Sequence, residues 1–331
     1  MTKPRVEHHT LYFARILACI AVIVLHTLGQ LTIPAVTPSA VVFSPNWLIQ
    51  NLLDSFVIWA VPLFVMMSGA LLLNRKYESA KSFYESHLPK MAVITVFWFS
   101  LYAVADHLIR GDDLTPVAYI KRFIIGPYDH LYFLLIILGL YILVPFFSST
   151  LAKISTREHL ILTCIFLFIS IFWKLSPFSL TMFVPYIGYF LAGAYLHKVA
   201  LPKVVPKISP YLVFGWGLAT FLFNLFGHLI LHKESYYYLH HHNPLIIGLS
   251  LSVFVLLTTH PFFASLKLPH LKKISEMTLG IYLLHPFILS LLVLIIGSSY
   301  TFIMAIVLVP VIFIICYGLT AALKKLPVSI L

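Results

Sequence analysis

Ten long apolar runs, separated by short charged segments, dominate this chain of 331 residues. Hydrophobic residues make up 60% of the chain and charged residues only 10%, whereas an average soluble domain carries about 25% charged residues. A run of roughly 20 apolar residues is long enough to cross a bilayer as a helix. The fold class is therefore expected to be an all-α polytopic membrane protein. The expected spans are 11–31, 47–73, 88–109, 131–149, 159–173, 178–197, 210–231, 244–262, 276–297 and 300–323.

The distribution of Lys and Arg orients these ten spans. If the runs alternate in direction, fifteen of the 22 basic residues fall on the side of the N-terminus and five on the opposite side, while Arg15 and Lys90 lie within runs. Cytoplasmic segments carry the excess of positive charge, so both termini are expected in the cytoplasm. We expect one transmembrane domain over 1–331, in the cytoplasmic (inner) membrane and without an appended soluble domain. Because the net charge of +11 is spread over short segments, no nucleic-acid partner is expected.

Arg15 and His26 stand inside the first run, in the string LYFARILACIAVIVLHTLGQ. Eleven residues are close to three helical turns, so the two side chains share a face about 16 Å apart along the axis. Ionisable side chains within a span are energetically expensive and point to a functional site. From the residues alone, the alternative is an Arg that reaches the inner headgroups and a His packed against a neighbouring helix.

Three other polar residues fall within later runs. Asp54 lies at about the depth of His26 on the next, antiparallel helix, where it could orient the imidazole; alternatively it hydrogen-bonds within its own helix. His285, in the string LGIYLLHPF, shares a helical face with Tyr282, three residues earlier. Pro286 frees backbone carbonyls at the same place. Hydrogen bonding in a helix kink is the alternative for His285 and Tyr282.

Two features lie near the outer ends of runs. His130 opens the fourth run in YDHLYFLLIILGLYILVPFF, where the alternative to a functional role is interfacial packing. The outer segment KESYYYLHHHN is rich in histidine, but its spacing is not that of a defined metal site. No metal is expected.

Five strings occur in the order ARILACIAVIVLH, NWLIQNLLDSFVIWAVPLFVMMSGALL, HLYFLLIILGLYILVPF, MFVPYIGYFLAGAYL and LGIYLLHPFIL. In this order, and with Arg15 and His26 at this separation, they resemble the integral-membrane acyltransferases called type 3, above all the small stand-alone members. The resemblance extends from the first run to the ninth. The chain departs from many members at Tyr12, where they carry an acidic residue, and at His87 and Lys90, where they carry paired arginines.

The resemblance implies a ten-helix enzyme that moves an acyl group, usually acetyl, from cytoplasmic acyl-coenzyme A. The acceptor it implies is a hydroxyl of a cell-surface glycan or its lipid-linked precursor. Acetyl-coenzyme A would be a co-substrate, and no bound cofactor is expected. Arg15 matches an essential arginine of the family and suits bidentate contact with the coenzyme phosphates. His87 and Lys90 would add charge near the same face.

His26 matches the family's essential histidine. A neutral imidazole there would take a proton from the acceptor hydroxyl as the oxygen attacks the thioester; a covalent acyl-histidine is the alternative. Asp54 is the candidate third catalytic residue. The candidate acceptor contacts are His130, Tyr282 and His285.

A transporter or flippase of a polysaccharide intermediate is the rival from another functional class. Ten helices with polar residues at mid-depth would suit a conduit, although the chain shows no internal repeat of the kind found in many transporters. The two hypotheses differ in one respect that can be measured: only the enzyme consumes acyl-coenzyme A.

Overall fold

The computed structural model describes residues 8–30, 45–125, 130–173, 181–231, 240–266, 268–297 and 301–325, and all regular structure within these ranges is helical. A single 3-10 turn, Val184–Tyr186, precedes α8 within them. The α-helices are α1 (His8–Gly29), α2 (Pro45–Val57), α3 (Ala60–Leu72), α4 (Ala80–Arg110), α5 (Pro116–Ile124), α6 (Tyr132–Leu151), α7 (Thr156–Phe172), α8 (Ile187–Lys198), α9 (Val204–Leu231), α10 (Pro244–Thr259), α11 (Pro261–Ser265), α12 (Leu271–Ser275), α13 (Thr278–Ile296) and α14 (Phe302–Leu323).

The all-α membrane fold is confirmed, and each of the ten apolar runs contains helix within the described residues. Among the described residues, seven helical segments are long and apolar enough to cross a membrane: α1, α2 with α3, α4, α6, α9, α13 and α14. The remaining runs form α7, α8 and α10, which have 17, 12 and 16 residues. The number of spans and the side of each terminus remain predictions.

Helix α4, which contains the third apolar run (88–109), begins eight residues before that run. Helix α4 starts at Ala80 because the side chain of Ser79 accepts a hydrogen bond of 3.0 Å from the N–H of Ser82 and so caps the first turn. It ends at Gly111, whose φ of 74° is in the left-handed region and whose N–H donates to the carbonyl of His107. Caps of this kind lie in polar sequence, so apolar periodicity alone does not locate them.

A break at Ile58 and Trp59 divides the second span into α2 and α3. Pro62 causes it, because a proline lacks the N–H that would bond the carbonyl of Ile58, four residues earlier. At the break the indole N–H of Trp59 donates to the carbonyl of Phe56 at 2.5 Å. The second span therefore consists of two helical pieces.

The chain divides into two compact units. Unit one comprises Met1–Phe64 and Val199–Ala321. In it, α1 packs against α2, α10, α12 and α13, and α9 packs against α2 and α10. Helix α1 is thus the central helix of this unit, and it carries Arg15 and His26. The single domain expected over 1–331 stays a prediction.

Unit two comprises Val65–Lys198 and Ala322–Leu331 and packs α4 against α6 and α7 against α8. Within it, α3 and α8 approach so closely that only glycine fits. A Cβ atom built on Gly69 would overlap the carbonyl of Phe190, and one on Gly193 would overlap the carbonyl of Met66. Small residues that bring backbones together are a common means of helix association in membranes.

The helices differ in how far protein covers them. In the second span 78% of the most apolar window is buried, whereas in α14 only 22% is. Leu294 and Ile295, at the end of α13, are each 80% exposed. Apolar surface of this extent is stable only against lipid, which agrees with a multi-pass membrane protein.

Candidate functional site

The structure brings together two histidines that are far apart in the sequence. The ring centroids of His26, on α1, and His285, on α13, lie 5.0 Å apart with an interplanar angle of 70°. His285 is fully buried and His26 partly buried. Adjacent imidazoles inside a membrane span form a site that can accept, hold and return a proton.

Pro286 explains the orientation of His285. In an unbroken helix the N–H of residue 286 would bond the carbonyl of Tyr282, but proline has no N–H to give. The Nδ1 atom of His285 lies 2.6 Å from this carbonyl. A carbonyl oxygen only accepts, so Nδ1 carries the hydrogen, and Nε2 is the basic nitrogen of the neutral ring. The proline therefore fixes the tautomer of the buried histidine.

Aromatic and apolar side chains surround this pair within unit one. The Tyr282 ring lies 5.7 Å from the His285 ring and 6.3 Å from that of Phe64. Leu28, two residues beyond His26, forms a buried cluster with Ala305 of α14, against which Leu53 of α2 packs. The fully buried imidazole of His285 thus lies among aromatic rings, where electrostatic interactions act more strongly than in water.

Arg15 lies on the same face of α1 as His26, about three turns earlier, and is partly buried. This agrees with the predicted spacing along the helix. Its role at the donor phosphates stays a prediction.

Asp54 is buried on α2, and its carboxyl group is hydrogen-bonded to a side chain of the same helix. The side-chain amide of Gln50, four residues earlier, donates to the carboxyl group. Among the described residues, Oδ1 of Asp54 and Oε1 of Gln50 have no partner. The ring that lies beside His26 is that of His285. Pairing of Asp54 with His26 stays a prediction.

A second polar contact lies next to Asp54 and was missed by the sequence analysis. The side-chain amide of Asn224, on α9, donates to the side-chain oxygen of Asn51, one helical turn before Asp54 on α2. Asn51 is 3% exposed and Asn224 is not exposed at all. Amides inside apolar runs are a signal for helix–helix hydrogen bonds, and these two could have been found on that basis.

The remaining predicted site residues belong to unit two. The ring of His87 stacks on Phe83 with centroids 4.3 Å apart, and its Nδ1 lies 3.0 Å from the Phe83 carbonyl. Lys90 is exposed on α4. His130 is buried at the start of α6 with its ring 4.6 Å from that of Tyr102. Contact of these residues with donor or acceptor stays a prediction.

The histidine-rich segment, predicted to lie outside, is described only from residue 240 onward; residues 232–239 lie outside the described ranges. Burial, together with the neighbouring histidines, lowers the pKa of His242 to about 4 and that of His241 to about 3. Both imidazoles are therefore neutral at physiological pH.

Comparison with known proteins gives one family. The family model with the description "Acyltransferase domain", which is that of the type 3 acyltransferases, matches residues 9–324. No curated protein and no solved structure matches the chain. The matched region covers both units and contains every candidate site residue described above.

Proposed function

The chain belongs to the type 3 acyltransferase family, and from this premise we propose that it transfers an acetyl group from cytoplasmic acetyl-coenzyme A to a sugar hydroxyl. The acceptor is a cell-surface glycan or its lipid-linked precursor, and the enzyme acts in the cytoplasmic membrane. The observation that carries the proposal is the pair of imidazoles, His26 and His285, enclosed within the membrane domain.

In this reaction His26 acts as the general base. It takes the proton of the acceptor hydroxyl while the hydroxyl oxygen attacks the thioester carbonyl, so a C–O bond forms as the C–S bond breaks. The coenzyme leaves as a thiolate and receives the proton back from the imidazolium. A positioned base of this kind contributes about 10²–10⁴-fold to the rate.

His285 is the residue that orients this base. Its Nδ1–H is held by the Tyr282 carbonyl, so Nε2 is available to the neighbouring ring. An N–H of His26 directed at that nitrogen leaves the other nitrogen of His26 basic, and the pair shares the positive charge that develops. The arrangement replaces the carboxylate that orients the histidine in many enzymes.

Arg15 binds phosphate groups of the donor. What supports this role is its position on α1, about three turns from His26 towards the predicted cytoplasmic side, from which the donor would enter. The thioester then lies deeper along the same helix. Arg15→Ala is expected to raise the KM for the donor more than it lowers kcat.

The test is release of free coenzyme A from acetyl-coenzyme A by the purified chain in detergent, with and without glycan acceptor. His26→Ala should abolish release while donor binding persists. His107→Ala is the matched control, because His107 is exposed and its Nδ1 contacts only the backbone of the α4–α5 connection. A chain that neither binds nor consumes the donor, yet is required for glycan export, would establish the transporter instead.

The same preparation separates direct transfer from a covalent intermediate. Acid quenching after mixing with radiolabelled acetyl-coenzyme A should leave the protein unlabelled if the acceptor attacks the thioester directly. Label retained on the wild type and lost in His26→Ala would establish an acyl-histidine.

A further inference from the structure

The segment of unit one that connects α10 to α13 has an open face on which apolar and basic side chains occur together. It contains the five-residue helices α11 and α12. Phe262 is 58% exposed and Leu268 is 47% exposed, although both side chains are large and hydrophobic. Lys272 and Lys273 are also exposed. The flanking helices are both apolar, and on the predicted topology the segment connects them at the cytoplasmic surface of the membrane.

The opposite face of this segment is fixed to α1. Nε2 of His9 lies 2.9 Å from the carbonyl oxygen of Ala264, and because a carbonyl only accepts, this nitrogen donates. The rings of Phe13 and Phe263 lie with their centroids 5.6 Å apart. Leu271, the first residue of α12, is buried. Protein therefore holds one face of the segment, while the face with the exposed side chains is left open.

A backbone turn at His270 presents the two lysines. Its φ of 61° is in the left-handed region, and among the described residues it is the one non-glycine residue with a positive φ. A side chain with a Cβ atom rarely adopts this conformation, which persists where the surrounding packing fixes it. Helix α12 begins directly after the turn. Lys272 and Lys273 thus stand on a fixed turn of the chain.

The charge of the segment favours an anion. The sequence from 266 to 276 contains three lysines and one acid, Glu276. The cytoplasmic leaflet carries a negative surface potential from its anionic lipids, and this potential attracts basic side chains that lie next to a span. A lysine side chain can also lay its hydrocarbon stem along apolar surface while its ammonium group reaches a headgroup.

The exposed apolar side chains favour a lipid over a soluble anion. A free phosphate ion binds through charge alone and gives Phe262 and Leu268 no apolar surface to contact. A lipid offers both parts, because its phosphate meets the lysines while its acyl chains meet the apolar side chains. Surfaces that combine basic with aromatic or aliphatic residues bind at the boundary between headgroups and acyl chains.

We propose that the open face of this segment binds the headgroups of anionic phospholipids. Lys272 and Lys273 contact the lipid phosphates, and Phe262 and Leu268 lie among the upper parts of the acyl chains. This interaction is additional to acyl transfer and does not depend on it. Because the segment is bonded to His9 of α1, the same lipids hold the start of the central helix of unit one.

The test measures hydrogen–deuterium exchange of the full chain in lipid nanodiscs of phosphatidylcholine and in nanodiscs with added phosphatidylglycerol. Each lysine near an anionic surface is worth about fivefold in binding. We therefore expect the amides of 261–276 to exchange at least about tenfold more slowly with phosphatidylglycerol than without it. Lys272→Ala combined with Lys273→Ala should remove most of this difference, whereas the corresponding double substitution by arginine should retain it.

Two further variants separate the charge from the apolar contact. Lys81→Ala is the matched control, because Lys81 is exposed, pairs with Glu85 at 3.8 Å and belongs to unit two. It should leave the lipid dependence of 261–276 unchanged. Phe262→Ala should speed exchange in both kinds of nanodisc by a similar factor, since insertion among acyl chains does not depend on headgroup charge.

Two outcomes overturn the proposal. The first is equal exchange of 261–276 in the two kinds of nanodisc, or a lipid dependence that survives in the double alanine variant. The second is equal protection when inorganic phosphate is added to phosphatidylcholine nanodiscs, because the lysines would then form a site for a soluble anion. Loss of the lipid dependence at 1 M salt, where charges are screened within about 3 Å, would support it.

Discussion

The two units differ in how their helices meet. In unit one, polar side chains of different helices meet: the imidazoles of His26 and His285 are adjacent, and the amides of Asn51 and Asn224 are paired. Unit two brings α3 and α8 together through glycines that lie against backbone. Buried polar pairs specify orientation and chemistry, whereas backbone contact specifies shape. Substitutions in unit one should therefore alter activity, and comparable substitutions in unit two should alter folding.

The largest effect is expected at the glycine contact of unit two. Gly193→Leu would drive a side chain into the backbone of Met66, which cannot move as a flexible side chain does. We expect a loss of at least about 3 kcal/mol of stability, or failure to fold. Gly215→Leu, on α9 in unit one, is the control, because nothing lies within 4 Å of its Cβ position. Thermal unfolding in detergent measures both, and equal losses would refute the contrast between the units.

A smaller effect, opposite in sign for stability and activity, is expected at the proline of α13. Pro286→Ala restores an N–H that competes with His285 for the Tyr282 carbonyl. Turnover should fall about tenfold as the tautomer is released, while stability rises, because a proline inside a helix costs up to about 3 kcal/mol relative to alanine.

Pro310→Ala tests the same substitution without the histidine. Pro310 also lies inside a helix of unit one, α14. We expect stability to rise and turnover to stay constant. A parallel loss of turnover in both variants would mean that the prolines act through helix geometry rather than through His285.

The smallest effect is expected at the amide pair. Asn224→Leu leaves the buried oxygen of Asn51 without its donor, at a cost of about 1–2 kcal/mol. Combining it with Asn51→Leu should restore most of this stability, because both polar groups are then removed. In unit two, Asn74→Leu should cost less, since Asn74 is exposed. A double variant that is no more stable than Asn224→Leu would contradict the pairing.

The sequence predicted the positions of the helices better than their ends. The length of an apolar run is set by the thickness of the bilayer, so each of the ten runs contains helix within the described residues. The start of α4 at Ala80 depends on the hydroxyl of Ser79, which lies outside the apolar pattern. The break after Val57 was not predicted, although Pro62 was the signal for it.

For the site, the sequence identified residues but not all of their partners. His26 and His285 were both expected to be functional, but their contact spans 259 residues and depends on how α1 and α13 pack. Helical depth suggested Asp54 as the partner of His26, and this pairing stays a prediction, because depth alone does not tell which face a helix turns to its neighbour. The Asn51–Asn224 pair was overlooked because isolated amides scarcely lower the hydropathy of a run.

The length of α4 determines how much of this helix lies outside the lipid tails. Its 31 residues extend about 46 Å, whereas the hydrocarbon of a bilayer is about 30 Å thick. Held near the membrane normal, the helix projects about 16 Å beyond the lipid tails in total, roughly eleven residues. Lys81 and Glu85, in its first turns, are exposed. The charged turns of α4 can therefore stay hydrated while the apolar middle of the helix lies in lipid.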